Sequence, residues 1–351
     1  MINIDFLVAG CNTRCRHCYV NGGPGPMMPV ADALLCVEKL DTLAAYLPDD
    51  ISFTLDHEPI NHPHLDQILS AASRTRHIQN YHHGMTTGVG LMGRKDKEAV
   101  IRSYLDCGYH DFGITIHGRA EHHDEIVRRA GAYNAAVAAA EFIKAQGAEI
   151  SVSLMLNRFF TEDAEIISAI LKRLQPDYVH FAIPIFTPYR NMLDFEPYRA
   201  SMKTVEDLRG YLTEWQQDEE KLVSTAEKNT IASAIEQLRC CGSLHELFTQ
   251  EQDELYLTLH QDCNLYVGNS GVETRCLGDL RIMDLKAAAE IIKSLPDNRD
   301  YGAFYDIAVL PADNDLINAW KRLPQDAVYG DFPSIVSRGL YELNIPTKIM
   351  N

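Results

Sequence analysis

The chain has 351 residues, 46% of them hydrophobic and 23% charged, an ordinary globular composition long enough for one large core and a smaller unit. A net charge of −17 disfavours nonspecific binding to nucleic acid, and no Lys/Arg-rich block opposes it. No apolar run of about 18 residues reads as a membrane span, and MINIDFLVAG lacks the features of a signal peptide. Nine cysteines, an odd number, fit a reducing cytoplasm with metal ligation.

From residue 1 to about 185, short apolar runs alternate with amphipathic stretches. The candidate strands are 2–9, 50–55, 78–86, 110–117, 149–156 and 178–184. Helix patterns lie at about 31–46, 64–75, 95–106, 132–146 and 161–174. In the last of these Thr161 is placed to cap the helix, and Ile166, Ile167, Ile170, Leu171 and Leu174 line one side. Repeated βα units argue for an α/β fold with a parallel sheet and right-handed crossovers. Residues 186–203 lack periodicity and read as a loop and domain boundary, in which Tyr189 and Arg190 are candidates for contacting an anionic substrate. Residues 204–238 read as charged and helical, followed by a strand at 255–259. Further helices are expected at about 284–295 and 312–323.

The chemistry concentrates in Cys11-Asn-Thr-Arg-Cys15-Arg-His-Cys18, directly after the first strand. Thiolates this close do not pair without strain. Soft sulfur selects zinc, Cu(I) or iron–sulfur clusters. A closed zinc site or an ordinary [4Fe–4S] site takes four protein ligands, yet the next cysteine is Cys36, inside a helix pattern. Three ligands around a four-iron cube leave one iron open.

C-x3-C-x2-C after an N-terminal strand, with aromatic His17 before the last cysteine, resembles the radical S-adenosylmethionine (SAM) enzymes. The resemblance implies a partial (β/α)6 TIM-type barrel over residues 1–200. It implies a [4Fe–4S] cluster on Cys11, Cys15 and Cys18, and SAM on the open iron. It implies a 5′-deoxyadenosyl radical that abstracts hydrogen from a small-molecule or peptide substrate, with a flavodoxin- or ferredoxin-type electron donor. Glu58-Pro59 is similar to the end of the family's Gly-Gly-Glu-Pro stretch, with Asp56 and His57 in place of the glycines. Met85-Thr86-Thr87-Gly88 resembles the turn after the third strand. Thr115 stands where a hydroxyl commonly reaches SAM, and Ser153, Asn157 and Arg158 are candidates for its ribose or carboxylate. His117, His122 and His123 read as surface or capping residues, His180 as a core residue.

Residues 201–351 resemble a SPASM or twitch extension, a smaller α+β domain, with altered cysteine spacing. Cys240 or Cys241, Cys263 and Cys276 either hold a second cluster or have lost it; in the second case Cys263 and Cys276 are candidate hydrogen-atom donors. Without an added cluster the resemblance implies epimerisation, rearrangement, elimination or decarboxylation; with one, net oxidation. Cys36 and Cys107 read as packing. The motif begins at residue 11, so no recognition domain for a leader peptide is expected before it. The competing reading is a zinc-stabilised, non-catalytic binding protein on a degenerate barrel.

Overall fold

The computed structural model describes residues 1–20, 22–47, 50–187, 193–240, 244, 254–295, 305 and 309–347. Tyr189, Arg190 and Cys241 lie outside them.

Strand β1 (Ile2–Phe6) buries Ile2, Ile4 and Phe6 and turns Asn3 and Asp5 the other way, the period of two that the pleat imposes. Strands β2 (Ile51–Leu55), β5 (Asp111–Ile116) and β6 (Glu149–Met155) repeat this alternation. Their apolar faces meet helices α1 (Val30–Ala44), α2 (Leu65–Ala72), α4 (Lys97–Asp106), α6 (Ala132–Ala145) and α7 (Phe160–Leu174). The opposite faces are polar and form the interior of the strand arc. Two further helices, α3 (Val89–Gly93) and α5 (Ala120–Val127), occupy the turns after β4 (His83–Met85) and β5.

The expected strand over 78–86 divides. β3 (Gln79–Asn80) pairs with β2, whereas β4 pairs with β5. Tyr81 N–H donates to Phe53 O and His83 N–H to Tyr81 O, both at 2.9 Å; this kink carries the chain from one sheet to the next. β5, β6 and β7 (Tyr178–Ala182) continue in parallel. The helix α7 begins at Phe160 with no side-chain cap, so Thr161 is not its cap. Asn157 Oδ1 accepts from Phe159 N–H instead, at 3.0 Å. Ile166 is exposed, although Ile167, Ile170, Leu171 and Leu174 are buried as expected.

The segment after residue 200 does not stand apart. Strand β8 (Leu255–Leu259) lies parallel to β1, in register from Ile2↔Leu255 to Phe6↔Leu259. β9 (Asn264–Val267) and β10 (Arg275–Asp279) extend that sheet in antiparallel fashion. The full strand orders are β10-β9-β8-β1-β2-β3 and β4-β5-β6-β7. Leu257, Leu259 and Cys263 share one apolar core with Ile4, Phe6 and Cys36. A second core, around Phe186, Ile231, Leu316, Trp320 and Leu340, gathers the remaining helices. One of these, Phe332–Glu342, has no counterpart in the periodicity reading; Asp331 caps it by accepting from Ser334 N–H at 2.8 Å. No described helix is long and apolar enough to cross a membrane.

Candidate active site at the strand ends

Parallel strands deliver their C-terminal ends to one face, and the cysteine loop leaves β1 there. The loop is sutured from several sides. Cys11 N–H donates to Gly23 O at 2.9 Å, an approach possible because a Cβ on Gly10 would strike the backbone of Gly23 and Gly25. Asn61, in the turn after Glu58-Pro59, donates to Gly10 O at 2.7 Å and accepts from Asn12 Nδ2 at 2.6 Å. Arg129 donates to Asn12 O at 2.8 Å, and Arg16 N–H to Ile126 O at 2.9 Å.

These anchors leave the three thiols grouped. Thr13 Oγ1 sits 3.1 Å from Cys11 Sγ and 3.4 Å from Cys15 Sγ, and Gly22 N–H donates to Cys18 Sγ at 3.0 Å. Burial pushes Cys11 up to about 11 and Cys18 up to about 12, and raises Cys15 as well. Buried thiols without a cation stay protonated; a positively charged metal group is what would make them thiolates. Among the described residues, the only His, Cys, Asp or Glu set with three ligand atoms all within 4.8 Å of one another is His122, Glu162 and Asp163. Three soft thiols on one loop, grouped around Thr13 and Gly22, are a donor set that an iron–sulfur group takes.

Beside the loop lies a cavity of about 100 Å³ whose wall includes Cys15, His17, Glu58, Thr87, Thr115 and His117. Glu58 is fully buried. It accepts from Thr86 Oγ1 at 2.5 Å and from Thr87 N–H at 2.8 Å. Burial raises its pKa, and these bonds pull the other way. Thr115 is on the wall. Ser153 is its register partner on β6, and His180 is the partner of Ser153 on β7. His180 is exposed, not a core residue.

Asn157 and Arg158 do not reach the cavity wall. Asn157 Nδ2 donates to His117 O and Met155 O, and its oxygen holds Phe159 N–H. Its amide is thus used in joining β6 to the end of β5. Arg158 is exposed and stacks on Phe159 and Tyr198.

The histidines depart most from expectation. His117 and His123 are buried, and His17 packs with them, with ring centroids 4.5 Å (His17–His117) and 5.1 Å (His117–His123) apart. Burial holds His17 and His123 down to about 4 and His117 well below its usual value, so neutral imidazoles face the cavity. The Nδ1 atoms of His17 and His117 are buried without a hydrogen-bond partner. The one sequence signal was His17 at the aromatic position of the motif. His122 turns away, its Nδ1 2.7 Å from Asp163 Oδ2.

Residues 6–173 match the model of the radical SAM superfamily. This part of the chain belongs to that superfamily. The radical SAM family's cofactors are a [4Fe–4S] cluster and SAM. No curated protein matches the chain. Among solved structures it is similar to native anSMEcpe with bound AdoMet, at 13% identity and a TM-score of 0.54, covering 98% of this chain and 97% of that one. It is similar to anSMEcpe with AdoMet and the Cp18Cys peptide, at 12% and 0.52, covering 98% and 96%. Streptococcus suis SuiB bound to S-adenosylmethionine matches at 10% and 0.53, covering 94% and 76%. At such identities the likeness is one of fold.

The tail reaches the strand-end face, but not through its cysteines. Ser270 N–H donates to Asp5 Oδ2 at 3.0 Å, and Ser270 Oγ is 2.9 Å from His57 Nε2. His260 Nε2 meets Glu273 Oε1 at 2.7 Å. With Gly10 and Arg14, the residues Ser270, His260 and Glu273 line a second cavity of about 430 Å³, and His57 borders both cavities. Cys263 is buried at the β8–β9 turn beside Cys36 of α1, on the outer face of the sheet. Cys276 is exposed on β10 opposite Tyr266, on the order of 10 Å along the strand from Cys263. Neither lines the cavity, so the structure gives no support to either as a hydrogen-atom donor. Cys240 is exposed at a helix end. These three do not converge on a second cluster site.

Proposed function

We propose that the chain is a radical SAM enzyme acting on a peptide or small molecule, with Cys11, Cys15 and Cys18 holding the cluster. The observation that carries this is the three-thiol loop at the end of β1, opening on the cavity walled by Glu58, Thr87 and Thr115. The cluster and SAM together supply a reductive cleavage that generates a hydrogen-abstracting radical. The protein's own part is placement and seclusion. Glu58, held by Thr86 and Thr87, presents a buried carboxylate to the cationic end of SAM. Thr115 offers a hydroxyl on the facing wall. The neutral His17 and His117 rings exclude water beside the loop.

The row Thr115–Ser153–His180 leads from the cavity to the outer edge of β7. That edge carries no strand partner among the described residues. A groove of about 510 Å³ runs between it and the helix Glu219–Lys228, past His180, Gln217 and Lys221. An extended peptide or a small polar molecule fits such an approach, and anSMEcpe, similar in fold, has been solved with a peptide. Because the described tail cysteines do not converge, we favour rearrangement, elimination or epimerisation over net oxidation. A flavodoxin- or ferredoxin-type protein supplies the electron.

Anaerobic reconstitution with iron and sulfide tests this reading. It expects about four irons per chain and formation of 5′-deoxyadenosine on reduction with SAM, both lost in Cys15→Ala. One zinc and no iron in anaerobically purified protein, or a Cys15→Ala variant that keeps both properties, would refute it.

A further inference from the structure

His57 stands where the resemblance has a glycine, and its backbone lies at φ +64°, a left-handed conformation that is strained for any residue with a Cβ. The residues on either side of it are fixed. Asp56 N–H donates to Phe6 O at 3.1 Å, continuing the β1–β2 pairing. The Glu58 carboxylate accepts from Thr86 and Thr87, and its carbonyl accepts from Asn61 N–H at 3.0 Å. Asn61 in turn grips the cysteine loop at Gly10 and Asn12. The turn at His57 therefore sets how the end of β2 leads into the Glu58 carboxylate. Strain of this kind persists only where the surroundings enforce it, and here the tail does so. His57 Nε2 lies 2.9 Å from Ser270 Oγ, the imidazole's one hydrogen bond among the described residues. Ser270 is 1% exposed and well anchored. Its own N–H donates to Asp5 and that of Gly271 to Glu273. Gly271 also packs so close to Val20 that a Cβ there would fall 2.8 Å from its carbonyl carbon.

We propose that His57 is a positioning residue: clamped by Ser270, it holds the left-handed turn that aims Glu58 at SAM, so that the tail sets the cofactor's seat. This rests on the reading of Glu58 given above and adds how this chain keeps the turn without a glycine. The imidazole acts through the backbone and does not itself bond SAM. Without the clamp, the His57 backbone relaxes towards negative φ and the seat is formed in only a fraction of the molecules. Apparent SAM affinity then falls by that fraction. A glycine in the same place reaches the turn unaided.

The test is equilibrium dialysis of SAM against anaerobically reconstituted protein, with iron counted on each variant and affinity referred to the iron-loaded fraction. Ser270→Ala should weaken SAM binding about fivefold, the order of one lost hydrogen bond. His57→Ala should weaken it as much, because it keeps the Cβ and loses the clamp. His57→Gly should stay within about twofold of wild type and melt above His57→Ala, since only the alanine keeps the backbone strain. In the His57→Gly background, Ser270→Ala should change nothing further. A ring that touches SAM directly would instead make the glycine and alanine variants equally weak. That result overturns the proposal, as does a Ser270→Ala protein with unaltered affinity or a Ser270→Ala loss that persists in the glycine background. Wild-type protein that carries its iron and binds no SAM removes the reading of the Glu58 seat, and this inference with it.

Discussion

The Thr86 hydroxyl donates to Glu58 Oε1 at 2.5 Å, and both residues are buried. This bond ties the end of β2 to the turn after β4, across the kink where the two sheets meet. It fixes the carboxylate that faces the cavity.

Glu58→Gln keeps an acceptor for Thr86, sets an amide NH2 against Thr87 N–H and removes the negative charge. It should weaken SAM binding by about tenfold or more in equilibrium dialysis and cost about 1–3 kcal/mol of stability. Thr86→Val strands a buried carboxylate oxygen and should cost about 1–3 kcal/mol of stability by urea unfolding. A Glu58→Gln protein with unaltered SAM affinity would remove Glu58 from the cofactor's seat.

Gly88 opens α3 at φ +78°, where a Cβ would fall on the backbone of Ala135 and Ala136. Gly88→Ala should cost about 2–4 kcal/mol from the left-handed backbone and the clash. Gly93, with nothing within 4 Å of its would-be Cβ, provides the contrast. Gly93→Ala should be neutral or stabilising by about 0.5–1 kcal/mol. Urea midpoints that fail to separate the two would contradict this backbone path.

Asp5 is pushed up to about 7, first by burial and then by the nearby Asp56 carboxylate, against the bond from Ser270 N–H. Folded protein therefore holds the Asp5 proton that unfolded chain releases near pH 4. Asp5 costs no stability below pH 4, and its cost grows as pH rises from about 4 to about 7. Asp5→Asn should flatten that limb and gain roughly 2–4 kcal/mol at pH 7, while near pH 4 the two proteins should unfold alike. Equal Tm for the two proteins at pH 7.5 would contradict the burial of this carboxyl.

The placement of the tail cysteines is checked by alkylation. Brief treatment of native protein with N-ethylmaleimide, mapped by peptide mass, should label Cys276 and Cys240 and spare Cys263 and Cys36 until the chain unfolds. Burial raises the thiol pKa of both spared residues. Rapid native labelling of Cys263 would return it to the candidates for hydrogen donation.

What the sequence determined by itself was local. Three thiols within eight positions after an apolar strand define a ligand set whatever the rest of the chain does, because a short loop cannot separate them. The helices α1, α2, α4, α6 and α7 and the strands other than 78–86 followed from helical spacing and alternation, which need no partner to be read; the split of 78–86 and the short helices α3 and α5 did not. Tertiary structure decided what depends on register and on distant pairing. β8 joins β1 across about 250 residues of chain, bringing Ser270 to His57 and turning Cys263 toward Cys36. His17, His117 and His123 come from separate loops and helices, and only packing sets them side by side. A strand's two faces differ by a single residue of register, so the apolar pattern named the strands without showing which polar groups would share the interior.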